Sequence, residues 1–230
     1  MLKALVWRAI PLAALALSTT SALAYADDTV AVAPITGASV AAEAGTALVA
    51  AADPTQAPAA IDADHWTAYG YNITAPASTW PMLELLHAQK FDWELASAQQ
   101  RPTPIVWASL PHGVYGQYSR TQNVVRLSLV LQNSSLEAGT AFLAHELTHL
   151  TDDLNGKLGD MTGDLCYAAE TRAFVNEANF WQMLFGPRGK DTSDPIEMQD
   201  NRKMHAFVGN SEYADLVLST TASYIKECAG

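Results

Sequence analysis

His145-Glu146-Leu147-Thr148-His149 sets two imidazoles four residues apart, with a carboxylate beside the first. On a helix, positions i and i+4 share one face a turn apart, so both rings can point at one cation. Imidazole nitrogens hold such an ion at about 2.0–2.1 Å. Glu146 lies roughly 100° round the helix from His145. That is too far round for a natural third ligand, but within reach of a water on the ion, where a carboxylate acts as general base. The competing assignment is an amphipathic helix with two structural histidines. Three features argue against it. Ser134 and Glu137 form an S-x-x-E capping box that starts a helix over Ser134–Asp153. Phe142, Leu143, Leu147 and Leu150 put the histidines beside buried surface. A carboxylate on a later helix offers a third ligand.

A catalytic zinc commonly has three protein ligands and one open position. The third is assigned to Glu170, in CYAAETRAFVNEANFW, twenty-one residues after His149. Glu177 is the runner-up, two turns further along roughly the same face. Seven residues rise about 10 Å, so a straight helix cannot bring both to one ion. Ala173, one turn after Glu170, leaves room for the two helices to approach closely. Glu177 is then an outer carboxylate or a surface residue. Asp152 and Asp153 follow His149 by about one turn. Two readings stay open for them: one orients a histidine through its second ring nitrogen, or both face water at a helix end whose dipole they oppose.

The rest of the chain must position these groups. Residues 1–24 read as a secretory signal: Lys3 and Arg8 precede the apolar run Ile10–Leu17, which is too short to span a bilayer. Ala22-Leu23-Ala24 is the cleavage site, with Ala24-Tyr25-Ala26 a second candidate. Residues 25–63 read as a flexible Ala/Pro-rich linker, since a stretch such as AVAPITGASVAAEAGTALVAAADPTQAPAA buries too little to offset its ordering entropy. Residues 64–230 form the folded domain. No other segment is long and apolar enough to cross a membrane. The formal charge of −11, made more acidic by loss of Lys3 and Arg8, argues against nucleic-acid binding by bulk charge. The two cysteines, Cys166 and Cys228, pair as a disulfide in an exported chain. The destination is the periplasm or the extracellular space. Cysteine ligation of zinc is disfavoured by the lack of C-x-x-C spacing.

The fold class is α+β. Ser78 and Thr79 before Pro81 start a helix with Leu83, Leu86 and Phe91 on its apolar face, and Trp93 and Leu95 belong to it or to a short second helix. Ile105–Trp107, Val114–Tyr118 and Val124–Leu131 read as three strands separated by turns, giving a small antiparallel sheet packed on the H-E-x-x-H helix. The C-terminal part is mostly helical. One helix is capped by Asp164 and runs from Leu165 to Phe185, where Gly186-Pro187 stops it. Another starts at Asp194-Pro195 and ends near Gly209, and a last one runs from Ser211 to Glu227.

The order of strand, H-E-x-x-H helix and glutamate on the following helix resembles the zincin metallopeptidases. It most resembles the gluzincin group, whose third ligand is a glutamate, in a small bacterial exported form. The resemblance spans Ile105 to Phe185. The extended metzincin motif is absent, because no third histidine stands six residues beyond His149. The likeness implies a zincin-like fold with Zn2+ held by His145, His149 and Glu170. It implies that the ion acidifies a water and polarises a carbonyl, with Glu146 taking the proton and passing it to the leaving amine. It implies that a strand, Val124–Leu129 or Val114–Tyr118, pairs with the substrate backbone. The substrate is then a peptide bond, in a protein or in cell-wall peptide. Tyr115, Tyr167, His205, Tyr213 and Tyr224 are open as partners of the oxyanion, with His205 the strongest. His65, His87 and His112 receive no role. Two rival readings are a catalytically inactive zincin-like scaffold, against which the intact Glu146 counts, and a precursor inhibited by residues 25–63, which has no cysteine to cap a metal.

Overall fold

The computed structural model describes residues 64–159, 161–208 and 228–229. The expected signal, the linker, the last helix over 211–227, Tyr213 and Tyr224 lie outside the described residues.

One buried helix, α3 (Leu136–Leu154), organises the domain. It packs against α1 (Trp80–Ala88), α2 (Asp92–Gln100), α4 (Gly163–Phe185) and α5 (Pro195–Phe207), and against a three-stranded sheet. Ala138 to Leu150 are buried without a break. Wrapping on every side, rather than an amphipathic stripe, explains a helix that carries small and apolar residues all round. Leu143, Leu147 and Leu150 are inaccessible and join Leu83 and Leu86 of α1, Leu95 of α2, and Phe180 and Trp181 of α4 in one core.

The sheet comprises β3 (Ile105–Ala108), β4 (Gly116–Ser119) and β5 (Val124–Ser128) in the order β3-β5-β4. A two-residue antiparallel pair, β1 (His65–Trp66) with β2 (Ile73–Thr74), stands apart from it. The all-antiparallel expectation is corrected here. β4 and β5 form the hairpin, but β3 pairs with β5 in parallel, Ile105 opposite Val125. The connection over 109–115 carries the chain past the place that β5 later fills, so β3 and β4, consecutive in sequence, are not neighbours in the sheet. β5 is central, and β4 is the edge next to α3.

Helix boundaries shift where local hydrogen bonding decides them. Ser135, not Ser134, caps α3, its side chain accepting the Ala138 N–H at 3.2 Å. The chain makes a 3-10 turn over Leu129–Asn133 instead of prolonging β5, which delays the helix by one residue and leaves the Ser134/Glu137 box unformed. Thr162 stands at the cap of α4 in place of Asp164, while Gly186 ends that helix at φ 71, a left-handed value suited to glycine. Asp194 caps α5 by accepting from Ile196 and Glu197, with Pro195 at the first position. Cys166 and Cys228 are bonded, tying the start of α4 to the end of the chain, and the Cys228 carbonyl accepts the Gly163 N–H at 2.7 Å. No helix among the described residues is long and apolar enough to cross a membrane.

Candidate metal centre

His145 and His149 stack on one face of α3, and α4 crosses that face so that Glu170 meets both. His149 Nε2 lies 3.2 Å from His145 Nε2. Glu170 Oε1 is 3.3 Å from His149 Nε2, and Glu170 Oε2 is 3.6 Å from His145 Nε2. All three side chains are buried, and their ligand atoms form a group able to hold one metal ion. A tetrahedral ion bound at about 2.0–2.1 Å needs ligand atoms about 3.3–3.4 Å apart. The separation of the two nitrogens matches that spacing, and Glu170 turns a different oxygen to each ring, so one carboxylate closes the group from the opposite side. Three acceptors converging in a buried space repel one another unless a cation or a proton lies among them.

Glu177 does not join this group. It lies behind His145, its Oε2 3.0 Å from His145 Nδ1, so it accepts that nitrogen's proton in a hydrogen bond and turns Nε2 towards Glu170. Its other oxygen accepts from Lys203 Nζ of α5 at 2.5 Å. The Lys203 ammonium sits over the Phe142 ring, 4.3 Å from its centre. His149 Nδ1 is buried with no hydrogen-bond partner among the described residues. Neither Asp152 nor Asp153 orients a histidine, and neither simply faces water. Asp152 accepts from Arg172 Nε at 2.6 Å. Asp153 accepts from Arg101 and from Tyr118 Oη, the latter at 2.8 Å, and pairs with Arg120 Nε at 2.9 Å. The end of α3 is tied to β4 and to α4 by these contacts.

Protonation follows the packing. Burial would drive His145 down, but hydrogen bonds with Glu170 and Glu177 and the nearby Glu146 charge raise it to about 10. Burial lowers His149 to about 4. Burial raises Glu177, yet Lys203 and His145 outweigh it and hold the carboxyl at about 2. Glu170 is lowered against its burial by the two histidines.

Glu146 points from α3 towards β4. Burial pushes it up to about 7, opposed by the His145 charge and by a hydrogen bond from the Tyr118 backbone N–H. It fits because residue 116 is glycine: a Cβ there would lie 2.5 Å from Glu146 Oε1 and 2.7 Å from its Cγ. Tyr118, whose hydroxyl is raised to about 12 chiefly by burial, thus holds Glu146 by its backbone and Asp153 by its side chain. A cleft of about 520 Å³ opens between β4 and the helices, lined by His145, Glu146, His149 and Glu170. Of the oxyanion candidates among the described residues, only Tyr115 lines it; Tyr167 does not, and His205 is exposed elsewhere on α5. Of the two strands suggested for substrate pairing, β5 has both edges occupied, leaving β4.

Gly116, Tyr118, Asp153 and Lys203 carry no motif that marks them. The helical position of Lys203, and the arginines flanking the strands, are the only sequence signals that could have drawn notice. No protein-family model, no curated protein and no solved structure matches this chain.

Proposed function

We propose that the protein is an exported zinc metallopeptidase of the gluzincin type, acting on peptide bonds in proteins or in cell-wall peptide. The observation that carries this reading is the buried convergence of His145 Nε2, His149 Nε2 and the Glu170 carboxylate at 3.2–3.6 Å from one another, with a buried carboxylate on the histidines' helix facing the same cleft. Zinc at this position supplies a Lewis acid that polarises a carbonyl and acidifies water. Glu146 takes a proton at its carboxylate and returns it to the leaving amine. Burial disfavours the charged carboxylate of Glu146, which favours its taking up the proton. Glu177 keeps the His145 ring in register. The outer edge of β4 receives an extended peptide by strand addition, which recognises backbone rather than side chains. The Cys166–Cys228 disulfide and the leader-like residues 1–24 support export.

The test is metal content and turnover of the purified protein. One equivalent of zinc per chain, and cleavage of unfolded casein that stops with a chelator and returns with zinc, are expected. A protein that binds no metal sinks the reading, and one that binds zinc yet cleaves nothing is the inactive scaffold.

Gly116→Ala tests the close approach of β4. The added methyl must displace the Glu146 side chain. Misplacing a catalytic group by an ångström costs about 10²-fold in rate. That loss is expected with zinc content unchanged, as measured by mass spectrometry on the same sample. Full activity in Gly116→Ala would show that Glu146 does not need the position seen here.

A further inference from the structure

We infer that Arg120 selects the substrate: its guanidinium receives a carboxylate, so the cleft takes peptides with an acidic side chain two to four residues before the scissile bond. The inference rests on the peptidase reading for the position of that bond, and on the geometry of the rim for the rest.

Arg120 follows β4 directly and lines the cleft. Its side chain is 58% exposed, and an arginine so exposed usually wanders. This one is fixed at two points. Its Nε pairs with Asp153 Oδ1 at 2.9 Å, and its Nη1 donates to the Gly159 carbonyl at 2.8 Å. Nη2 has no partner among the described residues. A guanidinium anchored at Nε and Nη1, with Nη2 unpartnered among the described residues, keeps a positioned donor for a carboxylate, which it binds with direction as well as charge.

Charge points the same way. Asp153 is shared by Arg101 and Arg120, so two guanidiniums face one carboxylate and one positive charge remains. Of the two, Arg120 is the one on the cleft. The protein's net negative charge matters little here, since screening confines charge effects between exposed groups to about 10 Å at 0.1 M salt.

Position fixes the register. β4 runs alongside α3 in the same direction: Gly116 and the Tyr118 N–H meet Glu146, while the Tyr118 hydroxyl and Arg120 meet Asp153, two turns later on the helix. Arg120 is four strand residues beyond Gly116, about 13 Å. A peptide added antiparallel to β4, the more stable pairing, enters from the Arg120 end. Residues near Arg120 therefore precede the bond opposite Glu146.

The experiment separates binding from turnover. Zinc-loaded Glu146→Gln protein is titrated into dye-labelled, unstructured decapeptides carrying Glu or Gln at the second to fourth residues before the centre, and Kd is read by fluorescence anisotropy. About tenfold tighter binding of the Glu peptides is expected, as for one charge-assisted contact. Arg120→Gln on the same background erases the difference while binding the Gln peptide as before, and Arg120→Glu reverses it in favour of Lys. Glutamate placed after the centre gives no gain. Equal affinity for Glu and Gln peptides, or a preference that survives Arg120→Gln, overturns the assignment. Hydrolysis of the same peptides by protein with Glu146 intact is followed in parallel. Acid-selective binding without cleavage sinks the peptidase reading alone, whereas cleavage without acid preference sinks the role of Arg120 alone.

Discussion

Alanine at position 170 is expected to strip the protein of its ion, and alanine at position 177 to weaken binding while leaving it measurable. Among the described residues, Glu170 is the only carboxylate that meets both histidine Nε2 atoms. Without it two ligands remain, and the loss should exceed the roughly 10–100-fold that removal of an outer partner costs. Glu177 is such a partner, touching His145 only through Nδ1, so Glu177→Ala should fall within that range and Glu177→Gln, still able to accept the Nδ1 proton, should recover part of it. The same pair should separate in the opposite sense when metal-free protein is melted. Glu177 is 1% exposed at its side chain and holds the Lys203 ammonium, itself only 14% exposed. Truncating one partner of such a buried pair costs about 3–5 kcal/mol, because the other charge is left uncompensated. Glu177→Ala is therefore expected to be the less stable protein without metal, and Glu170→Ala the poorer binder. Competition with a coloured chelator and thermal denaturation with excess EDTA measure the two effects. If Glu177→Ala loses the ion and Glu170→Ala keeps it, the ligand assignment is reversed.

How much of this could be read beforehand depended on distance along the chain. The histidine pair and Glu146 lie within one and a half helical turns, where periodicity alone fixes relative direction. The rise per residue showed that Glu170 and Glu177 could not both reach one ion, the small Ala173 beside Glu170 decided between them, and the structure brings Glu170 to both rings. Two cysteines left a single pairing, and it is the one formed. Failures came where distant segments decide. Local sequence left Asp153 open between orienting a histidine and facing water, but its partners come from outside the helix, Arg101 from the end of α2, Tyr118 from β4 and Arg120 from the hairpin turn. The parallel pairing of β3 with β5 is likewise nonlocal, and nothing within Ile105–Ala108 encodes it. Glu94 and Asp200, on short polar helices and without any motif to mark them, are almost inaccessible. Burial lifts both well above the usual carboxylate range. Glu94 Oε1 accepts from the hydroxyl of Thr148 at 3.1 Å, inside the H-E-x-x-H segment, so a buried acid from α2 meets α3 beside the candidate metal ligands.

Glu146→Gln is expected to abolish most hydrolysis while leaving the ion in place. The amide is nearly isosteric, so it fills the space against Gly116 that a larger residue could not. It can still accept the Tyr118 N–H through its oxygen, and it removes a buried acid whose ionisation burial already disfavours. Stability should therefore hold or rise. What glutamine cannot do is bind and release a proton near neutral pH. General acid–base catalysis contributes typically 10²–10⁴-fold, and kcat/KM should fall by about that factor. KM should change little, because the backbone of β4 and the arginine at its end are untouched. Zinc stoichiometry should stay at one, since Glu146 supplies none of the three converging atoms. Steady-state kinetics with metal analysis of the same preparation decide between three possibilities. Lost activity with retained zinc identifies Glu146 as the proton carrier. Lost zinc makes it a ligand, which the geometry of the cluster opposes. Unchanged activity means that the proton is moved by another group or that the measured cleavage belongs to a contaminant, and a metal-chelator control on the mutant separates those two.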